Sequence, residues 1–288
     1  MTQAKKKTAM RKALLRTFIQ LLFFLSMPGS FVAGFNGVKY IFRWIGTGEM
    51  LQLNSFVKTL IGLSLFTILF GRYFCGFVCS FGSLGDFVYW LSGLFQKKIL
   101  RHKKQYRFPV QILPWLQLIK YLNLMFMVAI TALGLAGILR GTSPWDVFSH
   151  FTALNLSIEG YEIGAVALAI VIVLMCFHPR AFCQFLCPMG AVFALLPMAP
   201  FGTLSRHSSN CIPNCKLCAM QCPAGIKLET DGRRNGECIG CEKCTAVCPR
   251  GNISHVGIKL YRYEAIGILA KAIIYFVLGV YLGLCRFL

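Results

Sequence analysis

Acidic side chains are scarce in this sequence: ten Asp and Glu stand against thirty Lys and Arg in 288 residues. Charge of either sign is also short, at 14% of residues, where an average soluble domain carries about 25%. With 56% hydrophobic residues and a mean hydropathy of +0.63, this shortage argues against an ordinary soluble protein and for a membrane protein. The net charge of +20 does not make nucleic acid the expected partner, because the basic residues are confined. Residues 1–16 hold Lys5, Lys6, Lys7, Arg11, Lys12 and Arg16 without one acid, and residues 97–107 hold Lys97, Lys98, Arg101, Lys103, Lys104 and Arg107 without one. Both stretches border apolar runs, the mark of cytoplasmic loops. Between 140 and 162 the bias reverses, with Arg140 alone against Asp146, Glu159 and Glu162.

Five apolar stretches come close to the roughly 20 residues that a spanning helix needs. They are 15–35, interrupted at Pro28-Gly29, then about 53–73, 118–139, 161–178 and 265–285, with Lys271 placed to snorkel. The N-terminus has the look of a signal peptide, but the topology needs its helix as an uncleaved anchor. With 1–16 and 97–107 inside, the second and fourth helices both descend to the cytoplasm.

Fourteen cysteines are too many for packing alone, and a chain this long and apolar is not a secreted disulfide scaffold. "CIGCEKCTAVCP", Cys238 to Pro249, has the C-x2-C-x2-C-x3-C-P spacing in which three cysteines grip one cubane and the fourth ligates another. "CIPNCKLCAMQCP", Cys211 to Pro223, is its partner, one residue longer in the first gap. The crossed assignment gives Cys211, Cys215, Cys218 and Cys248 to one 4Fe–4S cluster, and Cys238, Cys241, Cys244 and Cys222 to a second. Zinc sites more often use two separated Cys-x2-Cys pairs.

Two further pairs are written in one register. "RYFCGFVCSFG" (72–82) and "RAFCQFLCPMG" (180–190) share Arg, Phe, both Cys, a second Phe and Gly. Each follows a descending helix, so the halves read as parallel repeats with both pairs at one depth. Three readings are open for Cys75, Cys79, Cys183 and Cys187: four ligands of one metal or iron–sulfur centre, redox-active thiol pairs, or buried packing. Arg72 and Arg180 either snorkel at the headgroups or set positive charge beside thiolates. His178 reads as an interfacial residue or as an aid to a quinone or metal. Cys176 and Cys285 read as packing.

Apolar helices, twin C-x3-C motifs and a double ferredoxin module together resemble the NapH, NosR and CcoG membrane polyferredoxins. The resemblance spans nearly the whole chain. Departures are Ser80 where the family has Pro after the first pair, the fifth apolar run, and the lack of both the NosR flavin domain and the CcoG immunoglobulin-like domain. It implies membrane electron transfer between the quinol pool, or a cytoplasmic donor, and a redox partner such as a flavoprotein, ferredoxin-type protein or reductase subunit. A copper-reducing assembly factor and a redox-sensing regulator are the competing functions. For quinol oxidation the outer loops offer Glu49, Asp146, His150, Glu159 and Glu162 as proton acceptors.

The expectation is an α-helical membrane protein of four to five transmembrane helices with a 2+2 parallel repeat and an inserted small α+β two-cluster ferredoxin domain. Residues 1–200 form the membrane domain, 201–258 the ferredoxin domain and 259–288 a last helix. The N-terminus and the ferredoxin domain face the cytoplasm of a bacterial inner membrane.

Overall fold

The structure, a computed structural model, describes residues 3–48, 52–98, 107–109, 111–135, 137, 141–153, 155, 159–199, 202–206, 211–226, 236–255 and 264–286. Glu49, Arg140 and the middle of the 97–107 basic run lie outside the described residues.

The first apolar stretch forms two helices, α1 (Gln3–Ser26) and α2 (Ser30–Thr47). Pro28 disfavours helical geometry at Met27, and the pair bends by 63° at this break. The span expected over 15–35 is thus divided. α3 (Ser55–Phe70) starts where Asn54 Oδ1 accepts from the Val57 N–H at 3.0 Å, a side-chain N-cap. α4 (Ser80–Lys98), α5 (Leu113–Ala132), α6 (Pro144–Thr152) and α7 (Glu162–Phe177) follow. Pro114 and Pro144 sit in the first turns of α5 and α6, where no N–H partner is lost.

The cysteine pairs are not on α-helices. Phe74–Val78 and Phe182–Leu186 are single π-helical turns, π1 and π2, with Cys79 N–H bonded to Phe74 O and Cys187 N–H to Phe182 O, both at 2.9 Å. The wider turn keeps each pair on one side while it redirects the chain. α8 (Pro188–Leu195) leads away from π2 as α4 leads away from π1.

The cysteine-dense segment follows. β1 (Leu204–Arg206) pairs antiparallel with β2 (Ile253–His255), Ser205 opposite Ser254. Between them lie α9 (Leu217–Gln221) and α10 (Lys243–Val247). α11 (Glu264–Tyr281) closes the chain.

The core is aromatic and joins the two repeats. Phe81 packs on Phe182 with centroids 4.2 Å apart, and Phe74 on Phe193 at 5.9 Å. Tyr73 stacks on Phe77 at 4.5 Å and donates its hydroxyl to Ile268 O at 2.9 Å, which anchors α11. Around this core the outward faces are apolar as well: Leu65 and Leu69 on α3, Leu122 and Met125 on α5, Val166 and Ile170 on α7, and Ile273 and Val277 on α11 are exposed. Among the described residues one helix, α5, is long and apolar enough to cross a membrane, and α1 with α2 makes a second if the bent pair is one span. α3, α7 and α11 are shorter apolar helices. α3 and α7 have 16 residues each, about 24 Å at 1.5 Å per residue, because Gly71 and His178 end them to start the approach to the π-turns.

Candidate functional site: three cysteine quartets

The two repeats bring their cysteines together. Cys75, Cys79, Cys183 and Cys187 are all buried. The Cys183 thiol lies within electrostatic reach of Cys79, Cys187 and Cys75, and Cys187 within reach of Cys75 and Cys79. Backbone N–H groups of Phe81 and Gly82 point at Cys79 Sγ, and Gly190 N–H donates to Cys187 Sγ at 3.2 Å.

The arginines and glycines of the motif explain one another. A Cβ built on Gly82 would meet Arg180 Nη1 at 3.1 Å, and one on Gly190 would meet Arg72 Nη2 at 3.2 Å. Each half supplies the arginine that packs on the glycine of the other. Both guanidinia are buried, at 1% and 0% exposure, so the headgroup reading fails: the cross-repeat cradle holds these charges inside, beside the thiols. Arg180 also adopts a positive φ of 59°, an uncommon backbone for a residue with a side chain. It reaches Cys75 O, Gly76 O at 2.8 Å and Asp86 at 2.7 Å.

Asp86 is the hub of the assembly. Its carboxylate accepts from Arg16 of α1 at 2.5 Å, Gln20 at 2.9 Å, Arg180 and, at 3.0 Å, Lys243 of α10. Burial alone would raise its pKa. The cations Arg180, Arg16 and Lys243 overcome this and hold it well below the usual carboxylate range.

The second quartet adjoins the first. Cys238, Cys241, Cys244 and Cys222 lie within electrostatic reach of one another. A Cβ on Gly76, between Cys75 and Cys79, would meet the carbonyl oxygens of Ile239 and Gly240 at 2.8 Å. The loop between Cys238 and Cys241 therefore rests directly on π1, backbone against backbone. Gly76→Val is expected to separate them: all cysteines remain, and electron exchange between the quartets slows by at least about tenfold, read by freeze-quench spectroscopy.

Arg72 stands between the two quartets. Its Nη1 donates to Gly236 O at 2.8 Å, and Glu237 lies 3.9 Å away. Glu237 also takes Lys120 Nζ and, at 2.6 Å, the Tyr121 hydroxyl. Lys120 is fully buried, so this is an internal ion pair.

The third quartet lies in the cysteine-dense segment. Cys211, Cys215, Cys218 and Cys248 line one cavity with Arg206 and Asn252. Arg206 Nε donates to Cys211 Sγ at 3.1 Å and Asn252 N–H to Cys248 Sγ at 3.3 Å. The Cys211 hydrogen bond raises the Arg206 pKa. Cys248 lines this cavity with the first run, while Cys222 lies near Cys238, Cys241 and Cys244 of the second.

The donor sets fit iron–sulfur clusters. Each quartet has the four thiolates that a cubane takes, with N–H donors on its sulfurs of the kind that tune such clusters. Beside the twin-motif quartet, Gln184 Nε2 is buried without a hydrogen-bond partner and the Arg72 guanidinium faces the Cys75 thiol, donors that an anionic sulfur body would satisfy. Among the described residues no three Cys, His, Asp or Glu side chains converge on a single ion.

His178 is buried at the end of α7, its Nε2 3.0 Å from Pro223 O, so the sequence-based interfacial placement is corrected by the packing of the Cys222-Pro223 turn over it. Lys271 does not snorkel. It sits 3.9 Å from Glu242 and 3.2 Å from His255, and draws α11 against β2. Cys176 and Cys285 are half-buried. None of the three cavities that meet a cysteine quartet is lined by Asp146, His150, Glu159 or Glu162.

A family described as a 4Fe-4S binding domain matches residues 57–102 and 162–198, the two segments that carry the twin motifs. The uncharacterised protein MJ0750 of Methanocaldococcus jannaschii is 31% identical over 84% of this chain and 94% of its own length. The regulatory protein NosR of Pseudomonas aeruginosa is 30% identical over 62% of this chain and 24% of its own. The methylamine utilization ferredoxin-type protein MauN of Methylobacillus flagellatus is 23% identical over 72% of this chain and 58% of its own. No solved structure matches.

Proposed function

From the premise that this chain belongs to the family of iron–sulfur electron-transfer proteins that includes NosR and MauN, we propose that it is a multi-pass membrane protein that relays electrons along three 4Fe–4S clusters. The observation that carries this reading is the presence of three cysteine quartets, the first touching the second through Gly76 and Gly240. When bound, the clusters supply one-electron chemistry at potentials set by charge, hydrogen bonds and burial. The residues of this chain do the rest. The two repeats hold the first site between them, Arg72 and Arg180 offset its negative charge, and at the last Arg206 does the same while Asn252 donates hydrogen bonds to its sulfurs.

The membrane reading rests on the exposed apolar faces of α3, α5, α7 and α11 and on the confinement of basic residues to 1–16 and 97–107. Four to five helices then span the bilayer of a bacterial inner membrane as two parallel repeats, with the π-turns and the ferredoxin domain at the cytoplasmic edge. Electrons come from the quinol pool or a cytoplasmic donor and pass to, or arrive from, a redox partner protein. Orientation is tested with a reporter fused after Gly251. Activity is expected from a cytoplasmic reporter, and activity of a periplasmic one at that point overturns the topology.

Iron content tests the relay itself.

A further inference from the structure

Among the described residues the largest cavity, about 960 Å³, lies where the apolar helices meet the cysteine-dense segment. α1 lines it with one helical face: Ala9, Lys12, Ala13, Arg16, Thr17 and Gln20 recur at three- and four-residue steps. Tyr89, Trp90 and Lys97 line it from α4, and Met220 of α9 and Lys243 of α10 from the cysteine-dense side. Ala13 and Thr17 are exposed, so the cavity opens along α1. Beside that opening Leu14, Phe18 and Leu21 are exposed as well.

α4 does not run alongside its neighbour α7. A Cβ on Gly85 would meet Met175 Cε at 3.4 Å and Arg180 Cα at 3.6 Å, and Ser92 Oγ, about two turns further on, donates to Cys176 O at 3.0 Å. Both points meet the same end of α7, so α4 crosses it there. On α4 Phe87, Trp90, Leu91, Leu94 and Phe95 are exposed, and Lys97 and Lys98 fill the last turn. An exposed apolar and aromatic side that ends in lysines is the make-up of a helix in the headgroup plane of a membrane. The cavity wall is positive, with five Lys and Arg side chains against Asp86 and Glu242. Arg16, Arg180 and Lys243 cover Asp86, and Lys271 lies 3.9 Å from Glu242, so neither carboxylate repels an anion in full. Arg107 is held at the wall by hydrogen bonds to the Tyr89 hydroxyl at 3.2 Å and to Met220 O, which fixes a guanidinium, the group best shaped for phosphate, before any ligand arrives.

A positive wall that opens between exposed apolar side chains suits an amphiphile with an anionic head and apolar chains. We propose that this cavity holds an anionic phospholipid, with its phosphodiester among Lys12, Lys97 and Arg107 and its chains leaving over Leu14 and Phe18 of α1 and Phe87 and Leu94 of α4. The proposal goes beyond the electron relay and rests on the membrane reading above. A zwitterionic lipid brings its own ammonium to the positive wall and gains less. Inorganic phosphate matches the charge but leaves the apolar side chains in water. The site also gives the lipid a structural role. It touches α1 and α4 on one side and α9 and α10 on the other, so it fastens the cysteine-dense segment to the membrane helices. Cys222 and Cys241 line the same cavity, so the lipid keeps water from that side of the second quartet.

The test uses the whole chain, purified anaerobically in detergent, stripped of lipid and titrated with phosphatidylglycerol or with phosphatidylcholine of the same chains. Native mass spectrometry counts the bound lipid. Wild type is expected to hold phosphatidylglycerol at least about tenfold more tightly than phosphatidylcholine, and the preference is expected to shrink as ionic strength rises. Lys12→Gln and Lys97→Gln are each expected to weaken phosphatidylglycerol about fivefold and to leave phosphatidylcholine unchanged, a split that a folding defect does not produce. Ala13→Trp fills the opening and is expected to weaken phosphatidylglycerol by at least about tenfold. Equal binding of the two lipids, Ala13→Trp that binds phosphatidylglycerol unchanged, or glycerol phosphate that displaces the lipid at equal concentration overturns the proposal. Alkaline carbonate washing of membranes separates this result from the membrane reading. A chain that stays with the membranes but shows no preference for phosphatidylglycerol overturns the lipid site alone. A chain released by the wash that still loses phosphatidylglycerol in Ala13→Trp overturns the membrane reading and leaves the lipid site standing.

Discussion

Serine in place of any one of Cys75, Cys79, Cys183 or Cys187 is expected to remove the same set of about four irons, because the four thiols are all buried and within electrostatic reach of one another. The other two quartets keep their metal in each of these variants. Cys238→Ala is expected to remove a different set and to leave the twin-motif cluster and the Cys211 quartet loaded. Element analysis with low-temperature paramagnetic resonance separates these outcomes. Two variants from one half that lose iron, while two from the other half do not, would mean that the repeats do not share a site. The expectation is sharpened by the glycine cradle. Gly82→Val displaces Arg180, which belongs to the second half, and so disturbs a site whose nearest cysteine in sequence belongs to the first.

Asp86→Ala is the substitution with the largest expected effect on folding. It leaves the fully buried Arg180 without its carboxylate and frees Arg16 and Lys243 at once. Breaking a buried pair by removing one partner costs about 3–5 kcal/mol, a large share of the stability of a typical domain. Asp86→Asn keeps the shape and one acceptor and is expected to cost less, and denaturant unfolding in detergent measures both. The sign of the pH dependence follows from the depressed pKa. The carboxylate contributes its full stabilisation above its unfolded value of about 3.9, and loses it only as the pH falls through a folded value well below that. Between pH 5 and 8 the difference between wild type and Asp86→Ala is therefore expected to be flat.

The sequence showed the chemistry of this protein more clearly than its architecture, for a physical reason. Metal ligands in ferredoxin runs must lie two or three residues apart to reach one body, so the signal is local. Cys238 to Cys248 and Cys211 to Cys222 are readable by eye, and the exchange of Cys222 and Cys248 is an expectation that the same spacing supplies. The twin motifs were visible as a repeat, but their meaning lies between segments 108 residues apart. No local pattern says that Arg180 will pack on Gly82, or Arg72 on Gly190. Asp86 and Lys120 carry no motif at all. Asp86 is the one acid of α4 and Lys120 the one charge of α5, and only the partners from α1, Arg180, α10 or the Glu237 loop reveal their place. The π-turns were out of reach because an i, i+4 spacing is shared with an α-helix, and the extra residue shows only in the hydrogen bonds. Pro28 did announce the break in the first apolar stretch, but not its 63° angle. The outer-loop carboxylates drew attention because acids are rare there. His178 was noticed for its position at a helix end, and its burial depends on a turn 45 residues away.

The central claim is that three cysteine quartets hold three clusters in one chain. Iron and acid-labile sulfide per chain, measured on wild type purified without oxygen, test it most directly. Three cubanes give about twelve of each. About eight would confine the clusters to the ferredoxin segment and contradict a shared site between the repeats.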